Sequence, residues 1–163
     1  MKSRPTLEKD KNRDAIRGSA EQVVEFMGGR HLIKGAINSD LDVHDVIQKG
    51  LPGGVVSFMV KNVKTLAPED VRRAVGVSVR TVQRRAGSPK KPLSQVQSGR
   101  AWKFAEIITK AENVLGSREE AERWMIAPAL ALDQRRPIDL LASPPGMKMV
   151  EDLLTRIQYS VYT

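Results

Sequence analysis

The side chains best suited to chemistry lie close together in one short polar stretch of the chain. They are Ser78, Arg80, Thr81, Gln83, Arg84 and Arg85. Arginine forms paired hydrogen bonds with guanine, glutamine does so with adenine, and serine or threonine contacts bases or phosphates. Four more cations flank the stretch and could hold phosphates: Arg72, Arg73, Lys90 and Lys91. These residue types are those that read the major groove of DNA.

The elements around this stretch predict a helix-turn-helix. Pro68 suits the start of a first helix that runs to Val75 and ends at Gly76. Ser78 suits the cap of a second helix that runs to Arg85, and the six residues named above would be the exposed positions of this helix. A short connection that begins with glycine is typical of this motif. Four valines have the spacing that packs the two helices together: Val71, Val75, Val77 and Val82.

An ordinary solvated helix hairpin with a basic outer face is the alternative for this segment. We favour DNA binding because the cap, the turn glycine, the valines and the clustered arginines coincide. One residue departs from the usual pattern. Arg72 stands four positions before Gly76, where the first helix of such a motif commonly carries a small side chain. Standard docking therefore requires the stem of Arg72 to extend towards solvent.

The amino-acid composition excludes several classes of protein and of functional site. The chain has 163 residues, with 27 Lys and Arg against 19 Asp and Glu, and its net charge of +8 favours polyanionic partners. It has no cysteine and only His31 and His44, so disulfides, thiolate catalysis and zinc ribbons are excluded, and we expect no metal or cofactor. No apolar run approaches the ~18 residues of a membrane span. The charged start is unlike a secretory signal, so we expect a cytoplasmic protein.

Apolar residues elsewhere recur at helical spacing, which predicts an all-α fold of about eight helices. Residues 1–18 mix charges without an apolar stripe and are predicted to be a flexible basic tail. The patch from Leu32 to Ile37 fits either a helix or a strand. Three further helix signals are a cap at Asp42, a long stripe over Ala101–Leu115, and a capping box of Ser117 with Glu120. The last predicted helix starts at Ser143-Pro144-Pro145.

The C-terminal part contains a series of motifs in a fixed order. They are RWM at 123–125, PAL at 128–130, RPIDLL at 136–141, Gly146, VEDLL at 150–154 and RIQY at 156–159. This order resembles the C-terminal domain of Xre/ParS/MbcA-type antitoxins, which are the partners of Res-domain toxins. The turn at 50–52, the helix-turn-helix and Leu93-Ser94 also fall in the family's order, so the resemblance covers about residues 42–163.

The resemblance implies a division of the chain into two functional domains. Residues 19–98 would form an Xre-like DNA-binding and dimerisation domain, and residues 99–163 a small helical toxin-binding domain. A protein of this kind would be a homodimer that binds operator DNA and represses its own operon. Its C-terminal domain would bind a NAD-consuming Res-type toxin and occlude the toxin's active site. The chain itself would not be an enzyme.

Candidate toxin-binding residues lie at two places. Arg135 and Arg136 precede a proline on a loop, where cations stay exposed and could meet an acidic or nucleotide-accepting surface. The last helix ends close to the chain terminus, so its aromatic residues could form a plug that loses few rotamers on binding. The plug candidates are Tyr159, Ser160, Tyr162 and Thr163. Alternatively, the two tyrosines cover the domain's own core.

Other classes of function fit the sequence less well. A stand-alone helix-turn-helix regulator without a toxin partner is the main alternative. An enzyme is a second one, because two carboxylate pairs share helix faces: Glu21 with Glu25, and Glu119 with Glu122. No glycine-rich phosphate loop or nucleophile motif accompanies these pairs. A membrane-surface protein would need a strongly lipophilic helix face, which the sequence lacks. Structural roles are expected for Trp102, Trp124, Asp139 and Asp152.

Overall fold

The computed structural model describes residues 18–88 and 90–160, and these residues form an all-α fold, as the sequence predicts. Those two ranges contain no strand; single backbone bridges join Pro52 to Pro92 and Ala129 to Arg135. No described helix is long and apolar enough to cross a lipid bilayer. The predicted basic tail, apart from Gly18, lies outside the described residues.

Nine helices follow one another within the described ranges. Helix α1 covers residues 18–26 and is followed by a 3-10 turn at Gly29–His31. The next helices are α2 (Asp40–Lys49), α3 (Gly54–Asn62), α4 (Pro68–Val75), α5 (Val79–Ala86) and the long α6 (Gln95–Leu115). Helix α7 (Arg118–Ile126) leads through a 3-10 turn at Leu130–Leu132 to α8 (Pro137–Leu140) and α9 (Pro144–Ser160).

Helix α2 begins earlier than predicted. Its cap is Ser39, whose hydroxyl accepts a hydrogen bond from the amide of Asp42 at 3.2 Å. The carboxylate of Asp42 accepts from the amide of Asn38 and from the Ser39 hydroxyl, and these bonds lower the pKa of Asp42. The prediction of Asp42 as the cap is therefore wrong, because an oxygen-bearing side chain stands three residues upstream of it.

Two other local predictions are corrected by the structure. The patch from Leu32 to Ile37 is neither helix nor strand, because glycines in left-handed conformations interrupt the backbone before and within it. At α7, Ser117 is the cap as predicted, with its hydroxyl accepting from the amide of Glu120. The Glu120 carboxylate does not complete a capping box, since it accepts from Arg123 instead.

One hydrophobic core runs the length of the described chain, and α6 is its axis. This helix packs against α2, α4, α7 and α9. It starts well before the predicted stripe, because Ser94 and Gln97 form a capping box. Trp102 is buried in the core, as predicted, and Trp124 is half-buried at its edge. Since α6 passes without a break through residues 98 and 99, the division at that point stays a prediction.

Candidate nucleic-acid interface and protein-binding surface

Helices α4 and α5 form the predicted helix-turn-helix. Helix α4 begins at Pro68 and ends at Gly76, whose backbone is left-handed with φ 77°. Ser78 caps α5 by accepting a hydrogen bond from the amide of Thr81 at 3.1 Å. The residues that face the core are Val71, Ala74, Val75 and Val77. Arg72 is only half-buried. The close packing of α4 therefore depends on the core-facing residues just named and not on Arg72.

An arginine from α6 holds the turn between these helices. The Arg100 guanidinium donates to the carbonyls of Ala74 at 2.9 Å and Arg73 at 2.7 Å, at the end of α4. Burial lowers the pKa of Arg100. A side chain at Gly76 would place its Cβ 2.5 Å from a terminal nitrogen of Arg100. The sequence analysis missed this contact because Arg100 lies 26 residues from Ala74 and belongs to a different helix.

The outer face of α5 presents cations to solvent. Arg80 and Arg84 stand four positions apart, so they lie on the same side of the helix, and both are exposed. Ser78, Gln83, Lys90 and Lys91 are also exposed, and Thr81 is half-buried. Within the described ranges, the structure gives neither arginine a carboxylate partner. Their charges are therefore available to an external anion.

Two of the arginines that the sequence predicts to contact DNA form bonds within the protein instead. Arg85 is half-buried and donates to the carbonyls of Lys91, at 2.9 Å, and Pro92. The expectation that Arg85 is an exposed position of α5 is therefore wrong; it ties the end of this helix to the following loop. Arg73 forms an ion pair with Asp70.

Helix α5 also differs from the prediction in what it packs against. The valine spacing predicts that Val82 contacts α4, whereas in the structure α5 packs chiefly on α3. Val82 is half-buried against the core. Helix α5 is thus supported by its packing on α3 and by the hydrogen bonds of Arg85 at its end.

In the C-terminal part, Arg136 connects the α8 region to α4. Its guanidinium donates two hydrogen bonds of 2.8 Å to Asp139 and one of 3.2 Å to Asp70. Asp70 is a buried carboxylate on α4. The hydrogen bonds from Arg136 lower the pKa of Asp139, and in return raise that of Arg136. Arg136 is thus only partly exposed, contrary to the sequence-based expectation, whereas Arg135 is exposed.

Glu122 on α7 makes a second connection between the two halves. It is buried, and its Oε2 accepts hydrogen bonds from the backbone amides of Lys64 at 2.9 Å, Thr65 at 2.5 Å and Leu66 at 3.2 Å. Its neighbour Glu119 lies at the surface, 3.6 Å from Lys64. The carboxylate pair considered for acid–base catalysis therefore serves as an anchor for the loop between α3 and α4.

Helix α9 separates buried and exposed faces. Val150 and Leu154 are buried, whereas Tyr159 is 68% exposed, so this tyrosine does not cover the core. The Ser160 hydroxyl donates to the carbonyls of Arg156 and Ile157. At the other end, a Cβ on Gly146 would overlap the carbonyl oxygen of Leu140, so α8 and α9 meet at close range. Tyr162 and Thr163 lie outside the described residues.

Comparisons with known proteins match both halves of the chain. Residues 42–106 match the antitoxin Xre-like helix-turn-helix domain, and residues 110–159 match the antitoxin Xre/MbcA/ParS C-terminal toxin-binding domain. An antitoxin Xre of Photorhabdus laumondii is 26% identical over 117 residues, covering 71% of this chain and 78% of that protein. An antitoxin Xre of Pseudomonas putida is 28% identical over 119 residues, covering 73% and 72%.

Proposed function

Because this chain belongs to the Xre/MbcA/ParS family of antitoxins, we propose that it neutralises a NAD-consuming Res-type toxin and represses its own operon. The domains of this family are regulatory and toxin-binding, and the chain is not an enzyme. Both activities are binding reactions, and they are carried by different parts of the sequence. Repression of an operon requires access to the chromosome, so the protein would act in the cytoplasm.

Operator binding is the role proposed for α5. The single observation that carries it is the exposed pair Arg80 and Arg84, which has no carboxylate partner within the described chain. With α5 in the major groove, these arginines contact base edges together with Gln83. Lys90 and Lys91, in the loop after α5, contact the adjacent phosphates. Arg85 acts differently, since it fixes this loop relative to the helix.

A homodimer is proposed as the DNA-binding form, with the outer side of α2 as its interface. Leu41, near the start of α2, is 68% exposed, and Val96, near the start of α6, is 73% exposed. Val96 lies close to the end of α2, because the side-chain amide of its neighbour Gln95 donates to the carbonyl of Gln48. Two antiparallel copies of α2 would place each Leu41 near the other copy's Val96. Such reciprocal contacts are what a two-fold interface requires. Light scattering should show a dimer that Leu41→Asp converts to a monomer.

Toxin occlusion is the role proposed for the end of α9. Tyr159 stands exposed on a helix whose other face is fixed in the core, so its ring is presented on a rigid support. Ser160 and the last residues, Tyr162 and Thr163, would continue from it into the substrate pocket of the toxin. Arg135, exposed on the loop before α8, would contact the toxin outside that pocket.

A gel-shift assay with operator DNA tests the first role. The double variant Arg80→Ala/Arg84→Ala should lose operator binding while it still protects cells from the toxin. The matched control is Arg123→Ala/Arg156→Ala, which removes the same charge from exposed positions of the C-terminal half and should bind the operator as the wild type does. Unchanged operator affinity in the first variant would refute the assignment of α5.

Protection of cells that express the toxin tests the second role. Removal of residues 160–163 should weaken protection and leave operator binding intact. Full protection by the shortened protein would show that the terminal residues are not the plug. Pull-down from native cells separates an antitoxin from a stand-alone regulator, because only the antitoxin brings down a toxin in stoichiometric amount. A neighbouring reading frame that encodes a Res-like protein would identify that toxin.

A further inference from the structure

The loop between α7 and α8, residues 129–135, is held in one conformation by its own backbone. The amide of Ala129 donates to the carbonyl of Arg135 at 3.1 Å, and the amide of Gln134 donates to the carbonyl of Ala129 at 3.0 Å. Further bonds run from Leu132 to Ala129 and from Asp133 to Leu130. These hydrogen bonds join the start of the loop to its end. The loop is therefore preorganised for contact with a partner.

Two consecutive residues of this loop adopt left-handed backbone conformations. Asp133 has φ 56° and Gln134 has φ 61°, and within the described ranges they are the two non-glycine residues with positive φ. L-residues visit this region at an energetic cost. Such conformations persist where surrounding bonds fix them, and they are concentrated at binding sites. Here they are fixed because the amide of Asp133 donates to the carbonyl of Leu130 and the amide of Gln134 donates to the carbonyl of Ala129.

The loop presents a leucine to solvent. Leu130 is 82% exposed, more than any other large apolar side chain of the described residues. Leu132, two positions later, is buried in the core beside α9 and anchors the turn. Exposure of Leu130 is thus imposed by the anchor and the closed backbone. Arg135, at the end of the loop, is exposed and has no carboxylate partner in the part of the chain that the structure describes.

We infer that this loop is a second toxin-contact site, in which Leu130 enters an apolar pocket of the toxin and Arg135 meets a carboxylate at the edge of that pocket. The inference rests on the proposed function. The toxin is the occupant we assign, because the loop lies within residues 110–159, the part that matches a toxin-binding domain. A rigid, solvent-exposed leucine suits a protein pocket, since an apolar side chain gains nothing from a nucleic-acid backbone.

The test measures the affinity of the full-length protein for the purified Res-type toxin. Leu130→Asp should weaken the dissociation constant about 10- to 100-fold, as expected for a central interface residue. Melting temperature and operator affinity should not change, because Leu130 contributes little to the core. The matched control is Val79→Asp, which replaces another exposed apolar residue in the DNA-binding half and should leave toxin affinity as in the wild type.

Each contrary result has a distinct meaning. Wild-type affinity in Leu130→Asp would overturn the inference while leaving the proposed function in place. If the wild-type protein itself bound no Res-type toxin, the proposed function and this inference would fail together. If Leu130→Asp changed the protein from dimer to monomer in light scattering, the loop would be an interface between copies, which also overturns the inference. Combination with removal of residues 160–163 should give additive losses of affinity, because the two contacts are separate.

Discussion

The two binding surfaces differ in how their charged side chains are used. On α5, Arg80 and Arg84 are exposed and have no carboxylate partner among the described residues. The C-terminal half instead pairs most of its cations with carboxylates: Arg118 with Glu112, Arg123 with Glu120, Arg136 with Asp139, and Lys148 with Asp152. Among its described residues, the large exposed apolar side chains are Leu130, Met149 and Tyr159. One surface therefore suits a polyanion and the other suits a protein.

The two surfaces nevertheless belong to one packed body. Helix α6 runs through both halves, and Glu122 and Arg136 join the C-terminal half to the loop before α4 and to α4 itself. The two halves of the chain therefore have separate binding surfaces but share one hydrophobic core. Variants that affect one surface alone should be easy to separate from variants that affect the joint between them.

The largest effect is expected at the joint. Glu122→Ala would remove the carboxylate that accepts from three backbone amides of the loop before α4, and the free energy of unfolding should fall by about 3 kcal/mol. Urea unfolding of the full protein measures this change. Glu119→Ala on the same helix is the control and should leave the free energy of unfolding close to that of the wild type, because its ion pair is exposed. Equal losses in the two variants would contradict the role given to Glu122.

A smaller effect is expected at the turn of the helix-turn-helix. Gly76→Ala should lower the free energy of unfolding by about 2 kcal/mol, because it strains a left-handed residue and displaces Arg100. Gly116→Ala is the matched control, since Gly116 is also left-handed but has open space around it. The control should lose about 1 kcal/mol in the same urea experiment. In a gel shift, operator affinity should fall for Gly76→Ala alone.

Two neighbouring arginines of α5 should behave differently. Arg85→Ala removes the hydrogen bonds to the carbonyls of Lys91 and Pro92, so stability should fall by about 1 kcal/mol. Arg84→Ala should leave stability within about 0.5 kcal/mol of the wild type and weaken operator binding directly. Thermal unfolding and gel shift, applied to both variants, measure the two effects. A destabilising Arg84→Ala with normal operator binding would contradict the assignment.

The smallest effect is expected for Asp139→Asn. Hydrogen bonds and charge from Arg136 lower the folded-state pKa of Asp139 below its ordinary value of 3.8. The ionised carboxylate therefore stabilises the fold above that value, and this contribution is lost as the pH falls through the lowered pKa. The variant should be less stable at neutral pH by under about 1 kcal/mol, because the pair is partly exposed. Thermal unfolding should show that the difference shrinks in acid.

Local signals predict much of the DNA-binding half. Pro68, Gly76 and Ser78 each mark a helix end, and the structure places the ends where these residues predict. The C-terminal domain was predicted from the order of its motifs. The residues that the sequence analysis missed act through distant partners: Arg100 on the end of α4, Glu122 on the loop before α4, and Leu130 through the anchor beneath it. No spacing along the chain reveals such contacts, since tertiary packing creates them.

The central claim is that DNA and toxin use separate surfaces, and a structure of this protein bound to the proposed Res-type toxin tests it most directly. We expect residues at the end of α9 to fill the substrate pocket of the toxin, with Leu130 in contact beside it. We also expect Arg80 and Arg84 to remain exposed to solvent in the complex. A toxin seated on α5, or an open pocket with the terminal residues packed back on their own domain, would contradict the account.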